Sequence, residues 1–261
     1  MQRAFELFSD IFADRDNVLT RLDARVKVIV TFLSILFVIL STRLVLPLAV
    51  FTLSLIGTRI IRVPIRLVLA RLAAPVTIAL VLVVLQTFIV GSTPLFTFSF
   101  FKWKISGFQE GALRGVLIGC RVLGAVSLML LMSFATQAHR IFHTLRWLGV
   151  PKGWVEVAML MYRYTFTLLD QAAEVMDAQR LRLGYSTIRR SFSSVGVLAG
   201  TVMILSMDQA VSTYDAMMLR GYKGYMPFGP LPAMSGKDLL ILVTAPCIVL
   251  AAYLLCEGGP L

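Results

Sequence analysis

Carboxylates are the first scarcity. The chain holds 14 Asp and Glu against 25 Lys and Arg, a net charge of +11. No acidic residue falls inside any of five apolar runs, 26–42, 44–61, 72–90, 115–134 and 239–256. Proton relays and sodium sites are built from intramembrane carboxylates, so their absence argues against an ion-coupled carrier. The runs also lack the matching halves with broken helices that secondary transporters tend to show. Cysteine is rare too. Cys120, Cys247 and Cys256 lie in apolar runs without CxxC spacing, which suits buried thiols better than a disulfide or a metal site. No GxxxxGK[ST], HExxH, GxSxG or GxGxxG occurs. The chain therefore carries no P-loop for ATP hydrolysis, no catalytic residue set and no cofactor motif.

What is abundant is apolar surface. Hydrophobic residues make up 58% of the chain, where about 45–50% is usual for a soluble domain, so this is a membrane protein. The basic balance is compatible with nucleic acid, anionic lipid or an acidic partner. The positive-inside rule accounts for it without nucleic acid. The N-terminus has no signal-peptide core or cleavage site.

Residues 1–25 read as a cytoplasmic lead-in, and Asp23 is placed to cap the helix that follows. Arg43 separates the first two runs, which must form an antiparallel hairpin. Arg59, Arg62, Arg66 and Arg71 surround Pro64, which marks that loop, and the N-terminus with it, as cytoplasmic. Pro75 falls in the first turn of the third run, where its missing N–H costs little. Residues 91–109 form an outer loop in which Phe96, Phe98, Phe100 and Trp103 suggest an interfacial belt or a short hairpin. Arg121 interrupts the fourth run. It either makes a polar junction or ion pair or snorkels to the headgroups.

The region between the fourth and fifth runs is of another kind. His139 and His143 share a helix face, as two metal ligands would, but no acidic or cysteine ligand is near, and an exposed basic face is the other reading. Gly149 and Pro151 break that helix. A long helix then runs from Trp154 to about Arg182, and Gly184 stops it. A basic, serine-rich turn covers 186–194, and a second long helix covers 192–219, its first half against the membrane and its second half in the cytosol. A turn-rich linker with Pro227, Gly229, Pro230 and Pro232 follows. Each long helix ends on a small residue four places before an arginine: Ala178-Gln179-Arg180-Leu181-Arg182-Leu183-Gly184 and Ala216-Met217-Met218-Leu219-Arg220-Gly221. Two rigid guanidinium forks on two helix ends can plug into two equivalent grooves of a dimeric partner. Basic capping of the helix macrodipole is the plainer reading. The expected fold is an all-α membrane protein with about five transmembrane helices and two long cytoplasmic helices between the fourth and fifth. The divisions are 1–134, 135–235 and 236–261.

Leu22-Asp23-Ala24-Arg25-Val26-Lys27, Leu148-Gly149-Val150-Pro151, Tyr162-Arg163-Tyr164 and Ala216-Met217-Met218-Leu219-Arg220-Gly221-Tyr222, with the order of spans, resemble the transmembrane T component of energy-coupling factor (ECF) transporters, cobalt-type CbiQ. The resemblance covers nearly the whole chain. It implies a non-catalytic subunit of an ATP-driven importer, with cobalt ions as the expected cargo. It implies two ATP-binding cassette ATPase subunits, a substrate-binding membrane S component and room for a small accessory membrane subunit as partners. It makes the two long helices coupling helices, with Ala178, Arg182, Gly184, Ala216, Arg220 and Gly221 as docking residues. Leu183 separates arginine from glycine in the first motif, so Arg180 and Arg182 both stand as the docking arginine there.

Overall fold

The computed structural model describes residues 22–89, 94–100, 103–224 and 236–258. The lead-in before Leu22, the proline-rich linker and the last three residues lie outside it. The described helices are α1 (Ala24–Leu40), α2 (Val45–Ile60), α3 (Ile65–Ile89), α4 (Gln109–Ala135), α5 (Ala138–Trp147), α6 (Lys152–Leu181), α7 (Ile188–Leu219) and α8 (Gly236–Gly258). The one interruption among the described residues is an antiparallel hairpin, β1 (Pro94–Phe100) and β2 (Trp103–Phe108), with Phe100 opposite Trp103 and an irregularity between Pro94 and Phe96. The expected all-α membrane class stands. The helices long and apolar enough to cross a bilayer are α3, α4, α7 and α8, and α2 is a shorter apolar helix. Their outward-facing leucines and isoleucines, such as Leu69, Ile78 and Ile89 at 60%, 58% and 72% exposure, suit a hydrocarbon solvent.

Backbone contacts divide the chain into two units. One contains α1 to α4, the hairpin and α8; the other runs from Phe142 through α6 and α7. In the first unit α4 is the central helix, packed on α1, α2 and α3. Glycines let the backbones close up. A Cβ on Gly115 would lie 2.9 Å from the Val83 Cα, and one on Gly124 would lie 3.1 Å from the Pro47 carbonyl oxygen. The tightest core sits where the α2–α3 turn meets the end of α4: Ile61, Val63, Val68, Leu72, Phe134 and Ala135. The Arg71 guanidinium lies 4.8 Å over the Phe134 ring.

Asp23 caps α1, its carboxylate accepting from the Arg25 N–H at 3.0 Å, as the sequence suggested. Three boundaries differ from the sequence reading. The third helix begins at Ile65, with the Leu67 and Val68 N–H groups donating to the Pro64 carbonyl at 3.0 and 3.4 Å. Pro64 thus starts the helix and Pro75 lies inside it. The arginines around Pro64 obscured that start, because apolar content, not helix geometry, defined the run. The stretch 186–194 is not a turn: α7 begins at Ile188. Its serines stay helical by bonding backwards; the Ser191 hydroxyl donates to the Thr187 carbonyl at 3.0 Å. Finally, the second long helix is unbroken, as expected, but begins at Ile188 and not at 192; its 32 residues have the length and composition of a membrane span.

Candidate functional site

Both motif helices end in the same backbone structure. At the end of α6, Arg182 is the C-cap and Leu183 takes the left-handed conformation at φ 56°. The Gly184 N–H donates to the Gln179 carbonyl at 2.9 Å and the Leu183 N–H to the Arg180 carbonyl at 3.0 Å. At the end of α7, Arg220 is the C-cap and Gly221 is left-handed at φ 78°. The Tyr222 N–H donates to the Met217 carbonyl and the Gly221 N–H to the Met218 carbonyl, both at 3.0 Å. These are two Schellman motifs. The C-cap dihedrals are −86°, 12° for Arg182 and −87°, 8° for Arg220. Superposing the two ends pairs Ala178 with Ala216 and Arg182 with Arg220. Arg180 has no such counterpart.

Arg180 is also occupied: it pairs with Asp177 at 3.3 Å and contacts the Met176 sulfur at 3.7 Å. Arg182 and Arg220 are exposed and have no hydrogen-bond or ion-pair partner among the described residues. Directly before each lies an exposed leucine, Leu181 at 87% and Leu219 at 90% exposure. An exposed apolar side chain beside a guanidinium is a combination that contact surfaces use. The sequence reading passed over these leucines, although both motifs print Leu-Arg.

Gly184 does not stop α6 through its own dihedrals, as expected from sequence; Leu183 does. Glycine is needed next to it for space. A Cβ on Gly184 would come within 2.5 Å of the Ser194 hydroxyl and 3.0 Å of the Gln179 carbonyl. Ser194 donates to the Gly184 carbonyl at 3.0 Å, and Tyr185 hydrogen-bonds Gln179 at 2.7 Å. The first tip is therefore closed on itself. The 32 residues of α7, about 48 Å of helix, separate the turn that carries the first tip from Arg220.

The second tip borders a cleft of about 740 Å³ whose walls include Arg163, Tyr164, Thr213, Met217, Arg220 and Lys223. Thr213 donates to the Tyr164 hydroxyl at 2.9 Å and the Gln209 amide to Thr213 at 3.3 Å, which ties α6 to α7 across its floor.

Arg121 is an internal junction. Its Nε donates to the Ser41 carbonyl at 2.9 Å, and its Nη2 contacts the same oxygen. Ser41 is the C-cap of α1 and is wholly buried, so the cation caps the negative end of that helix. Lys27 returns the favour from the start of α1, donating to the Ala135 carbonyl at the end of α4 at 2.8 Å. Arg121→Met removes both donors from Ser41 and is expected to cost about 1–3 kcal/mol. A lowered thermal midpoint in detergent, partly restored by Arg121→Lys, checks this. His139 is exposed and His143 half-buried, and among the described residues no three His, Cys, Asp or Glu group as metal ligands do.

A family model described as a cobalt transport protein, CbiQ, matches residues 15–228. The chain belongs to the CbiQ family. An uncharacterised protein of Methanocaldococcus jannaschii is 29% identical over 209 residues, 80% of this chain and 78% of that one. The cobalt transport protein CbiQ of Rhodobacter capsulatus is 31% identical over 125 residues, 48% of this chain and 51% of the relative. The energy-coupling factor transporter transmembrane protein EcfT of Bacillus subtilis is 24% identical over 257 residues, 91% and 93% of the two chains. This CbiQ-family chain is thus a T component of the ECF type, an integral membrane protein and a transport component.

Proposed function

We propose that the chain is the coupling subunit of an ATP-driven importer. It binds two ATP-binding cassette subunits through the tips at Arg182 and Arg220 and passes their movement to a substrate-binding S component in the membrane. The observation that carries this is the pair of equivalent C-caps, each an unpaired arginine behind an exposed leucine, one at the end of α6 and one at the end of α7. Two matching plugs on two helix ends suit two copies of one socket. When nucleotide draws the sockets together, the two helix ends move, and packed helices answer such a shift in discrete steps. Ala178 and Ala216 leave room for the socket wall one turn back. Gly184 and Gly221 let the chain turn away behind each arginine.

The chain supplies no catalytic group on this reading; ATP is hydrolysed in the partners. The cargo is cobalt ion by analogy with the named relatives, and the S component selects it. The arginines around Pro64 support a cytoplasmic N-terminus; on this reading α7, which has the length and composition of a span, lies along the cytoplasmic face of the cell's inner membrane instead of crossing it, with both tips on that side. Purification in mild detergent tests the proposal. Two ATP-binding subunits and a small membrane protein are expected to come with the chain, and liposomes holding that complex should take up cobalt only with ATP. Uptake by this chain alone, without ATP, would instead make it a self-sufficient carrier.

A further inference from the structure

The cleft beside the second tip has a charge pattern that the tip alone does not use. Arg163 comes from α6, Arg220 from the end of α7 and Lys223 from just beyond it, and all three line one space. Among the described residues no carboxylate lines it; Asp208 and Asp215 on α7 are absent from its walls. None of the three cations pairs with an acidic group among the described residues. Like charges brought together on a folded surface repel, and an anion between them removes that cost. The walls also present Ser212 and Thr213 hydroxyls and the apolar side chains of Leu160 and Met217. A volume of about 740 Å³ admits several side chains, well above the room one ion needs. At the first tip Arg180 is paired with Asp177, Arg190 donates to the Ser186 hydroxyl at 3.3 Å, and Tyr185 and Ser194 close the turn.

We infer that the cleft receives an acidic segment of the ATP-binding partner, with Arg163 and Lys223 gripping carboxylates beside the one that meets Arg220. This rests on the coupling reading above and adds to it that the two tips bind unequally. The first tip engages through one guanidinium and one leucine. The second adds two cations and a walled recess. Arginine offers each carboxylate a planar fork of donors, and lysine offers a mobile point charge. Charge complementarity of this kind governs association rate and its dependence on salt.

The test uses the full chain in nanodiscs and purified ATP-binding subunits from the same cells. Affinity is measured against salt for the unaltered chain and for Arg163→Gln with Lys223→Gln, both tip arginines being kept. The double variant is expected to bind about tenfold more weakly, with a flatter salt dependence. Arg163→Lys with Lys223→Arg, which keeps both charges, should keep the salt slope and bind more tightly than the double glutamine variant. Should the double variant fold poorly, Lys223→Gln alone, at an exposed residue beyond the helix, must weaken binding in the same direction. Equal affinity and equal salt slope for variant and unaltered chain overturn the cleft while leaving the coupling reading intact. No binding by the unaltered chain overturns both. A difference that appears only in nanodiscs with anionic lipid, and vanishes in phosphatidylcholine, assigns the cleft to lipid and overturns the inference as well.

Discussion

Arg182→Glu combined with Arg220→Glu is expected to abolish ATP-dependent uptake and co-purification of the ATP-binding subunits, while the chain still inserts in the membrane. Both guanidiniums are exposed and bond to nothing in their own chain among the described residues, so the fold does not depend on them. Both C-cap structures are made by backbone N–H groups alone and survive the change. What is lost lies in the interface. Breaking a buried charge pair costs about 2–5 kcal/mol, and reversal adds repulsion. Two such losses reduce binding by at least about three orders of magnitude. Arg180→Glu is the internal control. Its side chain already serves Asp177 at the surface, where pairs are worth about 0–1 kcal/mol, so uptake should persist. Full uptake by the double reversal would refute the docking role, and loss with Arg180→Glu alone would move it two residues back.

Gly115→Leu is expected to have the largest effect on folding. Even a methyl at this position would meet the Val83 Cα at 2.9 Å and its carbonyl oxygen at 3.1 Å. Backbone cannot swing aside as a side chain does, so α3 and α4 must separate. Overpacking costs about 1–3 kcal/mol and more where backbone must shift; here the upper end applies, since α4 is the helix on which the others pack. Gly57→Leu should be milder, because its nearest neighbour, at 2.9 Å, is the flexible end of Leu131. Gly200→Leu is the neutral comparison, with nothing within 4 Å. Thermal unfolding of the purified proteins in detergent should rank them in that order. A midpoint for Gly115→Leu equal to that of Gly200→Leu would show that the α3–α4 contact is looser than described.

Much of this was legible from residues alone. Apolar runs locate membrane helices because lipid leaves few other solutions, and Asp23 announces its helix by local chemistry. The paired Ala-x-x-x-Arg endings were visible as spacing. Which of Arg180 and Arg182 is the C-cap was not, because it depends on which residue enters the left-handed conformation, and that is Leu183, a residue type that rarely does so. Gly184, the obvious candidate, is reserved for contact with Ser194, ten residues on, which no local rule reports. Arg163 looked like one more charge on a long helix until folding set it beside Arg220 and Lys223. Arg121 posed the same problem, since its acceptor is the carbonyl of Ser41, 80 residues earlier.

That last interval has a bearing on how the protein is made. Chains emerge N-terminus first, so the oxygen that will hold Arg121 is synthesised before the arginine leaves the ribosome. The costliest residue of the fourth span therefore follows its acceptor out of the ribosome, and the group that satisfies it comes from its own chain.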